Sequence, residues 1–429
     1  MPRLSSLSWT LCLAFLCYGV MVFLFGPCLT AIAETFDVPI GRTGLLFTCY
    51  SVGLIPAVLL VALLSEVIGR RRLLLLSAAA AGGGCILFAA SPAMGPRPLF
   101  AAALATVVIL GVGAGWLEVL LNALLADDNR PSPAFAINLG HVFFAIGAVV
   151  GPLAAGLLLR ARLPWGFAFY GVAALFLVLF FALLSQPEPV SRIGGGGLTG
   201  ARAVLRHPVL WLMLLVLALY VGAEMGFTAW VSPLMEEKLG ADRGSAALSV
   251  SMFWVFMIVG RAATSALSLR YLPRPLILAL AFGSMAAMAG AAYAPGAGTC
   301  LALSGAAGLF MSGVFGMVAT DASRHFPDNM SAVFSFLMVG VGVGGLLVPA
   351  AMGWLAGTLG LRGAMLLPPA LMAAVLATYL VPWSHTDSPT AHSGTRSGGS
   401  HCHTKPVSGM KVLGNGGEER GDEAGRLHG

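Results

Sequence analysis

Twelve stretches of this chain are each apolar enough, over a sufficient length, to cross a bilayer. They run approximately 9–33, 43–64, 73–90, 99–125, 134–159, 165–184, 208–230, 245–268, 276–294, 300–319, 332–357 and 363–383. About 20 apolar residues make a spanning helix, and in hydrocarbon a helix lets one segment pair all of its own backbone groups. A soluble fold could not hide this much apolar surface, since 58% of the residues are hydrophobic, 10% are charged and the mean hydropathy is +0.89. The expected fold class is an all-α polytopic membrane protein with twelve transmembrane helices.

In such a chain the net charge of +6 is no sign of nucleic-acid binding; it has to be read loop by loop. With both termini on one side, that side holds twelve basic residues before the tail, Arg70, Arg71, Arg72 and Arg130 among them, against seven on the other. The excess predicts cytoplasmic termini in a cell (inner or plasma) membrane. Cys12, Cys17, Cys28, Cys49, Cys85 and Cys300 fall in apolar spans, where cysteine behaves as a small hydrophobe, so no disulfide framework is expected. The start places Arg3 before an apolar run, as a signal peptide does. That run is too long and lacks a small-residue cleavage site, so it reads as the first membrane helix.

The fourth and fifth spans flank the short polar turn Asp127–Pro133 and carry Glu118, Asn122, Asn138 and His141. A lipid-facing helix would not tolerate these side chains. Glu118 lies twelve residues before Arg130 and His141 eleven after it, while Asn122 and Asn138 each lie eight away. At a rise of about 1.5 Å per residue, the two helices therefore bring each pair to nearly equal depth. Glu118 and Asn122 are i,i+4 and Asn138 and His141 are i,i+3, so each pair shares a helix face. One polar cluster built by two helices is the economical reading, facing a bundle interior or a water-filled cavity.

Two halves are expected. Residues 185–207 are polar, rich in Pro and Gly, and read as a flexible cytoplasmic linker between six-helix bundles at 1–184 and 208–383. Gly344, Pro349 and Gly353 of the eleventh span repeat the spacing of Gly147, Pro152 and Gly156 of the fifth. Tyr18 and Glu34 flank the first span as Tyr220 and Glu236 flank the seventh, with fifteen residues between each pair. Such matches mark a transporter built from parallel repeats. Residues 384–429 read as a disordered cytoplasmic tail. His401, Cys402 and His403 lie there without the spacing of a structural zinc site, so neither a metal nor a cofactor is expected.

Other polar residues are weighed against packing roles. Glu118 and Glu224 are the only acids clearly inside the expected spans, and Glu224 belongs to the outer half, away from the depth of Glu118. Each offers a carboxylate for proton coupling, against the alternative of a hydrogen-bonded group that holds helices together. His141, Asn122 and Asn138 suit solute hydroxyls or interhelical contacts equally well. Trp116 and Trp254 could stack on a sugar's apolar face, although core or lipid packing is the commoner role. Trp9, Trp165, Trp211, Trp230 and Trp383 read as an interfacial belt. Arg261, the one arginine clearly within a span, reads as a helix-end residue.

The turn after the second span reads Ala62-x-x-x-Glu66-x-x-Gly69-Arg70-Arg71. With Ala for Gly and Glu for Asp, it resembles the helix 2–3 loop of the major facilitator superfamily. A carboxylate beside arginines there implies a conformational gate, a latch that releases as helix bundles rock. Gly113-x-Gly115-x-x-Glu118-x-x-x-Asn122 and Asn138-Leu139-x-His141, with Tyr220–Glu224 and Gly260-Arg261, resemble the fucose permease and glucose/mannose:proton symporter branch. The likeness covers roughly residues 8–383. It implies the major facilitator fold, two pseudo-symmetric six-helix halves, and sugar uptake coupled to protons by alternating access. Glu118 occupies the place of a helix 4 glutamate that serves coupling and recognition. The branch's helix 1 aspartate has no acidic counterpart, Gly26 lying near its position, and its helix 5 asparagine and glutamine correspond to about Phe144 and to His141.

The expected function is secondary active transport of a small polar solute, a sugar in the first instance, with protons, by a monomer in the lipid bilayer. Drug or metabolite efflux by proton antiport is the main alternative. Gly147-x-x-x-Gly151-Pro152 with Gly156 resembles the helix 5 antiporter motif, with Ala155 replacing one glycine. A polar central cavity would favour the sugar reading and one lined by Phe and Met would favour efflux. A non-transporting sensor is a more distant third. No nucleophile–base constellation or nucleotide-binding motif points to an enzyme.

Overall fold

Each apolar stretch folds as a helix, and the breaks fall where the sequence removes a backbone donor or a side chain. The computed structural model describes residues 4–94, 99–128, 133–186, 205–268, 270–326 and 330–381. The centre of the expected linker and the tail, with His401, Cys402 and His403, lie outside them. The first span is α1 (Ser6–Phe23) followed directly by α2 (Phe25–Phe36). Pro27 explains the interruption, because its ring has no N–H and crowds the carbonyl four residues back, at Phe23.

Single helices follow: α3 (Gly44–Ile68), α4 (Arg70–Ala90), α5 (Phe100–Asp128), α6 (Pro133–Arg160) and α7 (Gly166–Leu184). The second half begins with α8 (Pro208–Leu239), α9 (Arg243–Ser268) and α10 (Pro273–Ala292). Its tenth span is α11 (Ala297–Met311) with α12 (Val314–His325), parted near Gly313. In α13 (Met330–Ala364), Gly360 at φ 73° makes the turn out of the eleventh span, and α14 (Leu367–Leu380) completes the last. Among the described residues eleven helices are long and apolar enough to cross a membrane, and α14 is a shorter apolar helix of 14 residues. The expected hairpin is present as α5 and α6, and α1 is a packed helix of the bundle, with Leu11, Cys12 and Phe15 buried.

The repeated glycines explain the packing of each half. A Cβ on Gly147 would meet the backbone of α1 at Leu16 and Val20, and one on Gly344 would meet the backbone of α8 at Ala218. The spacing from Tyr18 to Tyr220 carries Leu16 onto Ala218, so the two contacts are symmetry mates. Gly156 and Gly353 do something different, joining the halves. Gly353 lies against Gly44, where a Cβ on Gly44 would stand 2.6 Å from its Cα, and Gly156 lies against Gly244 and Ala247. One motif thus fixes the inside of each half and the seam between them.

Two expectations change. Trp165 and Trp230 are buried, not interfacial, at 4% and 0% exposure. Each indole N–H has an internal acceptor, Thr35 Oγ1 at 2.9 Å and the Pro349 carbonyl at 3.0 Å, so neither ring gains from the headgroup region. Asp321 joins the intramembrane acids, because the helix of the tenth span continues to His325 and buries it beside Tyr379, 3.5 Å away.

Candidate functional site

The polar residues of α5 and α6 meet as their spacing predicts. Asn122 donates to the Glu118 carbonyl at 2.8 Å, one turn back on α5, and its side-chain oxygen lies 3.2 Å from His141 Nε2 on α6. With that oxygen accepting, Nε2 carries the imidazole proton. Tyr18 of α1 donates its hydroxyl to Glu118 Oε2 at 3.2 Å. The His141 ring packs on Phe15 with centroids 5.2 Å apart. Glu118 and Asn122 are half-buried, whereas Asn138 and His141 are exposed. The group lines an opening.

An aromatic floor bounds this opening on one side. Trp254 of α9 packs edge-on against Phe23 at 4.6 Å and Phe144 at 6.1 Å, and Phe144 also meets Tyr18 at 5.5 Å. Trp254 is 2% exposed, and among the described residues neither its indole N–H nor the buried N–H of Trp116 has a partner. Beyond the floor, α6 and α9 stay together, with Ser251 donating to the Val149 carbonyl at 2.8 Å, up to the Gly156–Gly244 contact. A cavity of about 60 Å³ also lies there, between Phe23, Phe25, Phe47 and Tyr50 of one half and Met225, Thr228 and Leu346 of the other.

Polar ties across the halves concentrate at the far end. Arg243 at the start of α9 is paired with Glu34 of α2 and lies 3.6 Å from Glu236 of α8, while Thr30 donates to Glu236 at 2.5 Å. The symmetric glutamates seen in the sequence therefore share one arginine. At the opposite end, where both halves begin, the described ties stay within a half. Ser5 and Ser8 bond Asp128, Ser6 donates to Gln186 at 2.8 Å, and Arg274 donates to the Tyr379 and Leu380 carbonyls at 3.0 Å each. Among the described residues the side-chain ion pairs across the halves lie at the far end and none at the N-terminal end, and the exposed Asn138 and His141 of the Glu118 group lie toward the latter.

The expected gate turn behaves accordingly. Gly69 takes φ 85°, open to a residue without Cβ, and starts α4 sharply after α3. Arg70 pairs with Asp127 of α5 at 2.5 Å, and Arg71 donates to the Leu184 carbonyl of α7 at 2.7 Å. Glu66 is exposed and makes no ion pair among the described residues. Both arginines are thus tied within the first half, Arg70 to Asp127 and Arg71 to the Leu184 carbonyl, and among the described residues no ion pair joins the turn to the other half.

Glu224 does not join the Glu118 group. It is 5% exposed, and it sits one turn beyond Tyr220, the symmetry mate of the Tyr18 that touches Glu118. Arg261 is exposed, two turns along α9 from Trp254, whose ring packs on Phe23 and Phe144 of the other half. Two residues were undervalued by sequence reasoning. Tyr18 was visible only as a symmetry marker, since a tyrosine in a span resembles any core aromatic. Arg261 looked like a helix-end residue, yet it stands seven positions after Trp254, on the same helix face.

Among the described residues no group of three or more His, Cys, Asp or Glu side chains could hold a metal ion. The fold and sequence have known counterparts. A protein TsgA homolog of Erwinia tasmaniensis is 23% identical over 379 residues, covering 87% of this chain and 94% of that protein. The crystal structure of the E. coli fucose:proton symporter matches with a TM-score of 0.60 at 18% identity, over 87% of this chain and 97% of that one. A D-xylose-proton symporter matches with a TM-score of 0.70 at 14% identity, over 89% and 98%. The family profile described as Major Facilitator Superfamily matches residues 11–333 and 235–415. With twelve spans in two related halves and a profile match across most of its length, the chain belongs to the major facilitator superfamily of membrane transporters.

Proposed function

We propose that this transporter takes up a small polar solute of the sugar type together with protons, by alternating access. The observation that carries the reading is the Tyr18–Glu118–Asn122–His141 group, a carboxylate within a membrane span beside amide and imidazole groups at an opening. Such residues are expensive in lipid and mark solute or ion pathways. Glu118 takes and releases the coupled proton, and its protonation biases the two access states. Asn122, Asn138 and His141 meet the solute's hydroxyls, whereas Glu224 is a second carboxylate behind the floor. Trp254 becomes available for stacking when the halves shift, and Trp116 lies on the Glu118 helix. Glu66, Gly69, Arg70 and Arg71 form the gate at the N-terminal end. The halves 1–184 and 208–383 move about the linker 185–207, and the basic excess places that end and the tail 384–429 in the cytoplasm. The likeness to two sugar:proton symporters supports the same direction.

The test is internal pH in proteoliposomes with a trapped dye while sugars are added outside one at a time. Lumenal acidification with one sugar, absent in Glu118→Gln, is the expected outcome. Unchanged accumulation in Glu118→Gln would remove Glu118 from coupling.

One observation favours the efflux reading. The cavity beyond the floor is lined by Phe23, Phe25, Phe47 and Met225, a surface suited to amphipathic compounds. At about 60 Å³ it is far below the roughly 300–1,000 Å³ of ordinary ligand pockets, so the open polar group carries more weight. Proton release driven by amphipathic drugs and by no sugar would reverse that order.

A further inference from the structure

We propose that the transported solute carries a carboxylate, anchored by Arg261, so that the cargo is a hydroxylated monocarboxylate of the sugar-acid type. This rests on the reading of the chain as a carrier of small polar solutes and narrows the class of solute. Arg261 lies within the span Arg243–Ser268, seven residues before its end. It shares a helix face with Trp254, whose ring packs on the opposite half, so two turns on the exposed Arg261 lies on the side of α9 turned toward that half. The antiparallel contact of α6 and α9, through Phe144–Trp254 and Val149–Ser251, sets Arg261 level with Asn138 across the opening.

Its partners are missing. Among the described residues no carboxylate stands within ion-pair distance of Arg261, and its guanidinium donates to Met257 Sδ at 3.8 Å. Arg70, by contrast, is paired with Asp127, Arg243 with Glu34, and Arg274 with two carbonyls. A charge this deep is costly when unpaired and is held where it meets a counter-ion. The guanidinium fork matches one carboxylate in a bidentate manner, while Asn122, Asn138 and His141 on the facing wall supply donors and acceptors for hydroxyls. A single arginine balances a single negative charge, which favours a carboxylate over a phosphate monoester.

The test is calorimetric binding to the purified full chain in detergent, using D-gluconate, D-glucuronate, D-glucose and D-glucose 6-phosphate, followed by uptake into proteoliposomes. At least one sugar acid should bind and D-glucose should bind at least about tenfold more weakly, the size of a lost charge-assisted hydrogen bond. Arg261→Gln should lose that acid by a similar factor, and Arg261→Lys should keep part of it. Size-exclusion profile and melting temperature are followed for each variant, so that misfolding is not read as lost binding. Preference for D-glucose, retained in Arg261→Gln and driving proton uptake, would overturn the carboxylate while leaving sugar symport intact. Preference for the phosphate ester would overturn the monocarboxylate. Binding of none of the four, with the fold intact, would overturn this proposal and count against the uptake reading as well.

Discussion

Glycine and glutamate were the most informative residue types in this chain, for opposite reasons. The glycines mark where backbones touch. Gly344 is pressed on the Ala218 carbonyl, so Gly344→Ala should cost about 1–3 kcal/mol through overpacking. Gly342→Ala, two residues away with nothing within 4 Å, should be neutral or slightly stabilising through helix propensity. Melting in detergent distinguishes the two. Glu118 was legible because a carboxylate between apolar residues has few bland explanations, and its i,i+4 relation to Asn122 proved to be a real hydrogen bond. Tyr18 and Arg261 were harder, since spacing gives depth along a helix but not what stands across from it. The Asp127 partner of Arg70 in the gate turn was not legible, because that pair joins residues 57 apart.

At the scale of elements, helix ends are where local chemistry is readable. Asp242 caps α9, accepting from the Gly244 and Ser245 amides at 3.0 and 3.1 Å and from the Ser245 hydroxyl at 2.6 Å. These bonds, led by that of the Ser245 side chain, hold its carboxyl below the usual range. A folded value lower than the unfolded one, about 4, makes the cap complete above that value and lost as pH falls through the lower folded one. Asp242→Ala should therefore lower the melting temperature at pH 7, by an amount worth about 1 kcal/mol, and the gap between variant and wild type should narrow toward pH 3. The hairpin of α5 and α6 follows from sequence alone, whereas the break before Pro27 falls inside a stretch, 9–33, that reads as one span. The burial of Trp165 and Trp230 does not follow from sequence either, because their acceptors come from α2 and α13.

For the whole molecule, the arrangement of ties defines one state of a two-state carrier. Gly44–Gly353, Gly156–Gly244 and the Arg243 pairs hold the far end, and the described polar ties at the other end stay within a half. Weakening the far-end latch should shift the population toward the opposite access state. In a background with Cys49 and Cys402 changed to Ser, a cysteine at position 141 (His141→Cys) should react with an impermeant thiol reagent from the N-terminal side. Adding Arg243→Gln should slow that reaction and raise labelling from the far side. Equal labelling with and without Arg243→Gln would remove the arginine from the latch.

The two glutamates meeting one arginine have a further consequence. Symmetry supplies both carboxylates but not the cation: the offset that relates Glu34 to Glu236 carries Arg243 onto Gly41, and the neighbouring Arg42 makes no ion pair among the described residues. The latch is therefore built unevenly from an even plan, and its cation travels with the second half when the two ends exchange roles. A compound that wedges between Arg243 and either glutamate would act from the far side, without entering the solute path. Inhibition of that kind would not be relieved by adding more solute.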